Sequence, residues 1–192
     1  FVDKYEPQAV MYVWQGGMLG GLGTADVLTG KIPPSGKLTD TIAKTIEDYP
    51  SNQWFGNRDG NFYCEDIFVG YRYFESFAKD KVLYPFGYGL TYTSFKFDTV
   101  SAEDKRNEKK VSLKIKITNT GNAASKEVAQ IYVKAPQGKL GKAERVLVDF
   151  EKTELLEAGE SQELDFSIPY ESFASYDDGG YTGNKACFIL EE

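Results

Sequence analysis

Hydrophobic and polar positions follow two different rhythms along this 192-residue chain, and the rhythm changes across residues 84–97, Tyr-Pro-Phe-Gly-Tyr-Gly-Leu-Thr-Tyr-Thr-Ser-Phe-Lys-Phe. Beyond that stretch the period is two. Val111, Leu113, Ile115 and Ile117 alternate with Ser112, Lys114, Lys116 and Thr118, and Asn119-Thr120-Gly121-Asn122 follows with turn chemistry. A more fully buried strand is predicted over 127–133, a third over 145–150, and a fourth where Leu164, Phe166 and Ile168 alternate. Residues 95–100 and 186–190 add two more. Roughly seven short strands, with turn signals about every 8–12 residues, predict a mainly β fold, a small sandwich of the immunoglobulin or fibronectin type III kind. Tyr176 fits either a tyrosine corner or a plain core aromatic.

Before residue 84 the pattern is different. Ala9-Val10-Met11-Tyr12-Val13-Trp14 is a continuous apolar run closed by Gln15-Gly16-Gly17, which predicts a strand buried on both faces of a parallel sheet. From Met18 to Leu28, Leu19, Leu22, Ala25, Val27 and Leu28 share one helix face. Gly20, Gly21 and Gly23 offer close backbone approach, Gly30 stands at the C-terminal cap, and Pro33 and Pro34 follow. One strand and one helix make a partial α/β segment, half of a βαβ layer. Residues 37–42 read as an edge strand, 49–61 as an exposed loop and 63–74 as an extended aromatic linker. Pro85, Gly87 and Gly89 make 84–97 a sharp corner, and Tyr84, Phe86, Tyr88, Tyr92, Phe95 and Phe97 are expected to pack there and join the two halves.

Hydrophobic residues at 41% and aromatics at 15% support a real core. Acidic side chains outnumber basic ones 29 to 22, and the resulting charge of −7 argues against nucleic acid or an anionic membrane as partner. Lys105, Arg106, Lys109 and Lys110 are diluted by Glu103, Asp104 and Glu108, as in a solvated hairpin. No apolar run is long enough to span a bilayer. Histidine is absent, which removes imidazole triads and most catalytic zinc sites from this chain. Cys64 and Cys187 form no metal or redox motif; two buried thiols in a reducing, cytoplasmic setting are the expectation, with a disulfide unsupported. No metal or cofactor is implied. The glycines at 20–23 lack phosphate-loop spacing. Trp54 is the one candidate substrate-binding residue: with Asn57, Arg58, Asp59 and Asn61 it has the chemistry of a sugar platform, unless its ring packs inward as a plug.

Three ordered passages resemble glycoside hydrolase family 3, which includes the β-glucosidases. They are Trp14 to Gly21 with Ala25-Asp26-Val27-Leu28-Thr29-Gly30-Lys31 and Pro34-Ser35-Gly36-Lys37-Leu38, then Glu65-Asp66-Ile67-Phe68-Val69-Gly70-Tyr71-Arg72-Tyr73-Phe74, then the 84–95 stretch. Residues 111–133 are similar to the family's fibronectin type III-like domain. Leu19 replaces an acidic residue frequent in the family, and Thr39 a common proline. The resemblance implies that 1–45 ends the family's α/β sandwich domain, that 46–94 is a linker and that 95–192 is the β-sandwich. It also implies a retaining enzyme that hydrolyses terminal β-D-glucosyl residues, with a β-glucoside or oligosaccharide as substrate. Its nucleophile, an aspartate of a separate barrel usually followed by tryptophan, has no counterpart here, because the chain contains no Asp-Trp pair. The acid/base glutamate belongs to a part of the sandwich domain preceding Phe1. Asp26, Glu65 and Asp66 match motif positions read as structural, so no catalytic residue is expected. The opening on Phe1 and the 175–191 sequence, similar to members whose barrel follows the fibronectin-like domain, give the expectation of a piece whose partners are the missing barrel and sandwich domains. A carbohydrate-binding or domain-interaction module is the alternative.

Overall fold

The computed structural model describes residues 2–191; Phe1 and Glu192, the outer limits of the expected first and last domains, lie outside it. Three α-helices occur among the described residues, α1 (Val2–Tyr5), α2 (Gly20–Leu28) and α3 (Tyr71–Phe77), with nine strands. These are β1 (Ile42–Ala43), β2 (Val82–Tyr84), β3 (Phe95–Lys105), β4 (Lys110–Asn119), β5 (Val128–Val133), β6 (Val146–Lys152), β7 (Ser161–Pro169), β8 (Ser175–Asp177) and β9 (Cys187–Ile189). Every pairing is antiparallel.

The second half is the expected β-sandwich. One sheet has the order β3-β4-β7, and β5-β6 forms the facing layer. Between them Ile117, Ala129, Leu156, Leu164, Phe166 and Ile168 are buried, with Leu113, Ile115, Ile131 and Val148 packed around them. Period two makes this core: Leu164, Phe166 and Ile168 point inward from β7, while Lys114 on the outer face bridges to Glu163 and Asp165 on the neighbouring strand. β3 runs five residues beyond the expected end at Val100, from Phe95 to Lys105. Its register shifts between Thr99 and Ser101, so Val100 is the extra residue of a bulge and the inward positions change parity after it. The charged hairpin after β3 pairs Lys105 with Glu103, Arg106 with Asp104 and Lys110 with Glu108 around a left-handed Lys109, so three of its four basic residues are neutralised locally.

The first half departs from expectation at residues 9–14, which form no strand. Val10, Tyr12, Val13 and Trp14 are exposed, and Trp14 sits at a positive φ with Tyr12 edge-on against it at 4.5 Å. A parallel strand needs neighbours to satisfy its N–H and C=O groups, and no parallel strand exists among the described residues. Helix α2 does form and stops as predicted: Gly30 takes a left-handed φ of 74° and its amide bonds Val27 O. None of its residues is buried, and a Cβ on Gly20, Gly21 or Gly23 would meet nothing within 4 Å; the one close approach is that of Gly16, whose Cβ would collide with Gly20 Cα. The expected edge strand is short. Leu38 exchanges bonds with Gly87 and Tyr88, and β1 pairs with β2.

The expected linker is not wholly extended, since Tyr71–Phe77 is helical. Phe74 is buried with Ala43 and Ala78, and Tyr49, Tyr73 and Val82 pack against them. The corner joins the halves through polar contacts as much as through rings. Tyr71 stacks on Phe86 at 4.6 Å and Tyr84 on Tyr88 at 5.5 Å, but Tyr92 and Phe97 remain exposed. Lys37 Nζ donates to Gly89 O and bridges Glu127 at 2.8 Å, with only 17% and 11% of the two side chains exposed. A Cβ on Gly89 would collide with Gly36 O, so glycine is required there.

Candidate functional site

Trp54 ends a 3-10 turn, Pro50–Trp54, whose root is fixed from below. The Tyr49 ring meets Phe74 edge-on at 5.5 Å; its hydroxyl accepts from Ala43 N at 3.0 Å and donates to Thr41 O at 2.9 Å. Asp48 accepts from Thr45 and pairs with Lys81 at 3.1 Å, and the Lys81 ammonium holds its carboxyl below the usual aspartate value. On the far side the Cys64 thiol lies 3.7 Å from Pro50 O. Cys64 is therefore an exposed thiol, not the buried one expected, because it closes a loop whose residues 53–64 are all exposed; Cys187 is half-buried and both thiols are free.

The Trp54 ring is 38% exposed and packs at 4.7 Å against Phe62, the other end of the loop. It is thus neither a buried plug nor a bare platform: one face is covered and part of the ring is open. Of its polar neighbours, Asn57 Oδ1 accepts from Asp59 N at 2.9 Å, and Arg58 and Asn61 stand exposed on the same loop. Phe55 and Tyr63 beside them are almost fully exposed. A loop with a pinned base, an open indole and amide and guanidinium groups can stack and hydrogen-bond a polyol. It holds no paired acid and base.

Of the three acidic residues at motif positions, Asp26 is ion-paired through its side chain, and Glu65 and Asp66 stand in a main-chain turn. Asp26 pairs with Lys31 at 3.0 Å. Glu65 O accepts from Phe68 N to close a turn, with Asp66 inside it at positive φ. Glu75 on α3 bridges Arg145 at 2.6 Å and Lys79 at 3.7 Å, and Glu144 bridges Lys134 at 2.6 Å. Together with Tyr132, over whose ring Arg145 lies at 4.8 Å, these residues line a cavity of about 250 Å³ at the seam between α3 and the sandwich. Ion pairing holds the Glu144 carboxyl low, whereas burial pushes the Tyr132 phenol up. Opposite charges are matched across this seam, which suits adhesion.

Several residues that fix the architecture were not singled out from the sequence. Asn119 was read only as turn chemistry, yet it is fully buried. Its Oδ1 accepts from Thr93 Oγ1 at 2.6 Å and Gly121 N at 3.1 Å, and its Nδ2 donates to Ala123 O at 2.8 Å and Leu156 O at 2.9 Å. Tyr176 is no tyrosine corner: its ring is exposed and meets Phe188 across the β8–β9 pair. The neighbouring Asp177 does the anchoring instead, accepting from the amides of Gly180, Tyr181 and Thr182 and from Thr182 Oγ1. Burial pushes its carboxyl up, and these hydrogen bonds outweigh that and hold it below the usual value. Among the described residues no group of three or more His, Cys, Asp or Glu could hold a metal ion, and no helix is long and apolar enough to cross a membrane.

Residues 2–92 match the Glycosyl hydrolase family 3 C-terminal domain, and residues 127–183 match a fibronectin type III-like domain. A β-glucosidase of Ruminococcus albus is 55% identical over 191 residues, covering 100% of this chain and 20% of that protein. Beta-glucosidase A of Butyrivibrio fibrisolvens is 46% identical over 200 residues, covering 96% of this chain and 24% of its own length. The crystal structure of a β-glucosidase from Paenibacillus barengoltzii superposes with a TM-score of 0.93 at 52% identity, over 99% of this chain and 21% of that one. β-Glucosidase 3B from Thermotoga neapolitana, solved with glucose, gives 0.79 at 43% identity over 86% and 23%. The chain thus spans about a fifth of the length of the relatives it matches. With the α/β segment, the corner and the sandwich in the order those matches require, this chain belongs to glycoside hydrolase family 3, as its C-terminal domain segment and fibronectin type III-like domain.

Proposed function

We propose that the chain is an accessory, framework part of a retaining β-glucosidase-like hydrolase whose intact form releases terminal β-D-glucosyl residues, and that it contributes no reacting carboxylate. A retaining glycosidase needs two carboxyl groups about 5–5.5 Å apart, one ionised and one holding its proton near neutral pH. The observation that carries the reading is coverage: the chain spans 20% of the Ruminococcus albus β-glucosidase and matches the family's C-terminal and fibronectin type III-like domains; the displaced carboxyls agree with it. Asp48, Asp104, Glu108, Glu144, Asp177 and Glu191 are all displaced downward, each held ionised by hydrogen bonds or a cation. That is the chemistry of structural anchors. The proposed partners are the barrel and the rest of the α/β sandwich, which would cover the apolar run 9–14 and the exposed face of α2. In the intact enzyme, Asp26→Asn, Glu65→Gln and Asp66→Asn are each expected to leave kcat nearly unchanged. A loss of about 10²-fold or more in any one of them, with the fold intact, would place a reacting group on this chain.

Within that function we assign Trp54 to substrate binding, as an aromatic wall at the edge of the sugar site. Its partial exposure on a pinned loop supports the assignment. Trp54→Ala should raise KM for cello-oligosaccharides more than it lowers kcat. Oligosaccharide kinetics identical to the parent enzyme would remove Trp54 from the site.

A further inference from the structure

Asp-Gly is the peptide step at which aspartate cyclises most readily, because a residue without Cβ lets its amide nitrogen reach the aspartyl side-chain carbon. The sequence contains this step twice, at Asp59-Gly60 and Asp178-Gly179. The fold treats them differently. Asp59-Gly60 lies at the tip of the exposed loop 53–64, and an ideal Cβ on Gly60 would meet no heavy atom within 4 Å. The Gly60 amide has no acceptor among the described residues, and the one bond at this step runs from Asp59 N to Asn57 Oδ1, on the side away from Gly60. Nothing resists rotation of Gly60 N toward Asp59 Cγ.

Asp178-Gly179 sits inside a knot. The Asp177 carboxylate grips the amides of Gly180, Tyr181 and Thr182 at 2.7, 2.9 and 2.8 Å, and Asp177 O accepts from Ala186 N at 2.7 Å. The Tyr181 ring closes over Gly179 so tightly that a Cβ there would collide with it. Turning the Asp178-Gly179 peptide to bring nitrogen onto Cγ would break that knot.

We propose that Asp59 is a site of spontaneous succinimide formation and isomerisation to isoaspartate in the native protein, and that Asp178, with the same dipeptide, is protected by its turn. Gly60 N attacks Cγ of the protonated Asp59 carboxyl. The N–Cγ bond forms, and the carboxyl hydroxyl leaves with the amide hydrogen as water. Water then opens the ring. Attack at Cγ restores aspartate; attack at the main-chain carbonyl carbon leaves the chain running through Cγ, with no net change of mass and no oxidant or cofactor. The product inserts one methylene into the backbone between Trp54 and Phe62, whose ring contact closes this loop. Isomerisation therefore acts on the indole directly, and the inference stands whether or not Trp54 binds sugar.

The test is incubation of the full chain at mildly acidic pH and body temperature, native and in urea. Isoaspartate at each site is quantified by electron-transfer fragmentation, and the total by methylation with a protein-isoaspartate carboxyl methyltransferase and S-adenosylmethionine as methyl donor. In the native chain, isoaspartate should accumulate at 59 several times faster than at 178, and in urea the two rates should converge. Gly60→Ala, which the open space admits, should suppress the reaction at 59 and leave 178 unchanged. Equal native rates, a faster reaction at 178, or no isoaspartate at 59 would overturn the proposal.

Discussion

Asn119→Ala is the sharpest test of how the sandwich is tied to the corner. The substitution removes four hydrogen bonds from a fully buried amide: those from Thr93 Oγ1 and Gly121 N, and those to Ala123 O and Leu156 O. Each is worth about 1 kcal/mol net, which sums to roughly 4 kcal/mol. Gly121 and Ala123 are only half-buried and recover water, and Leu156 O keeps its bond from Ser125 N at 3.1 Å, so about 3 kcal/mol is the expected loss. For a chain of this size that lowers Tm by roughly 6–12 °C. Urea unfolding followed by far-ultraviolet circular dichroism measures it, with the midpoint falling and the slope unchanged. Asn119→Asp should be about as damaging, because it turns the Nδ2 donor into an oxygen facing two carbonyls. Asn122→Ala, on the exposed side of the same turn, should stay within about 0.5 kcal/mol of the parent. A loss below about 1 kcal/mol for Asn119→Ala would refute the reasoning.

Lys37→Met should cost on the order of 3 kcal/mol, because it strands the largely buried Glu127 carboxylate; Lys31→Met, at an exposed pair, should cost under about 0.5 kcal/mol in the same urea titration. The Asp177 carboxyl is lower in the folded state than in the unfolded one, so its contribution is fully present above about pH 4, the unfolded value, and fades as the pH falls toward the folded one. Asp177→Asn should accordingly flatten the stability profile below that pH, and an unchanged acid limb would contradict the assignment. Gly89→Ala should destabilise by about 1–3 kcal/mol through collision with Gly36 O, whereas Gly17→Ala, with open space around it, should be near neutral by thermal melt.

The sandwich was legible where one face meets water and the other meets the core. The alternation of Leu164, Phe166 and Ile168 on β7 and of Val111 to Ile117 on β4 marks strands with one face on a core and the other toward water. Legibility failed where a single residue broke the count, as at Val100 in β3, whose bulge hides the last five residues of the strand. Helix α3 was missed for a local reason: Gly70 at its N-cap carries no side-chain acceptor, and the run Tyr71, Tyr73, Phe74 and Phe77 reads equally well as extended aromatics. The run 9–14 was misread because apolar content reports a demand for burial without showing that neighbours are present to meet it. At the candidate site, the position of Trp54 on an exposed loop was readable from its polar company. Its anchor was not, because the Tyr49 hydroxyl acts through main-chain groups at Thr41 and Ala43 that leave no mark in sequence. Asn119 and Asp177 share that property: their polarity looks like surface chemistry until their partners are in place.

The central claim is that this chain holds and shapes a glycosidase without breaking the bond. Its most direct test is hydrolysis of an aryl β-D-glucoside by the purified 192-residue chain, with folding verified by circular dichroism. The account predicts no turnover above buffer at any pH. Turnover by the parent chain that disappears on substitution of one of its own carboxylates would contradict it.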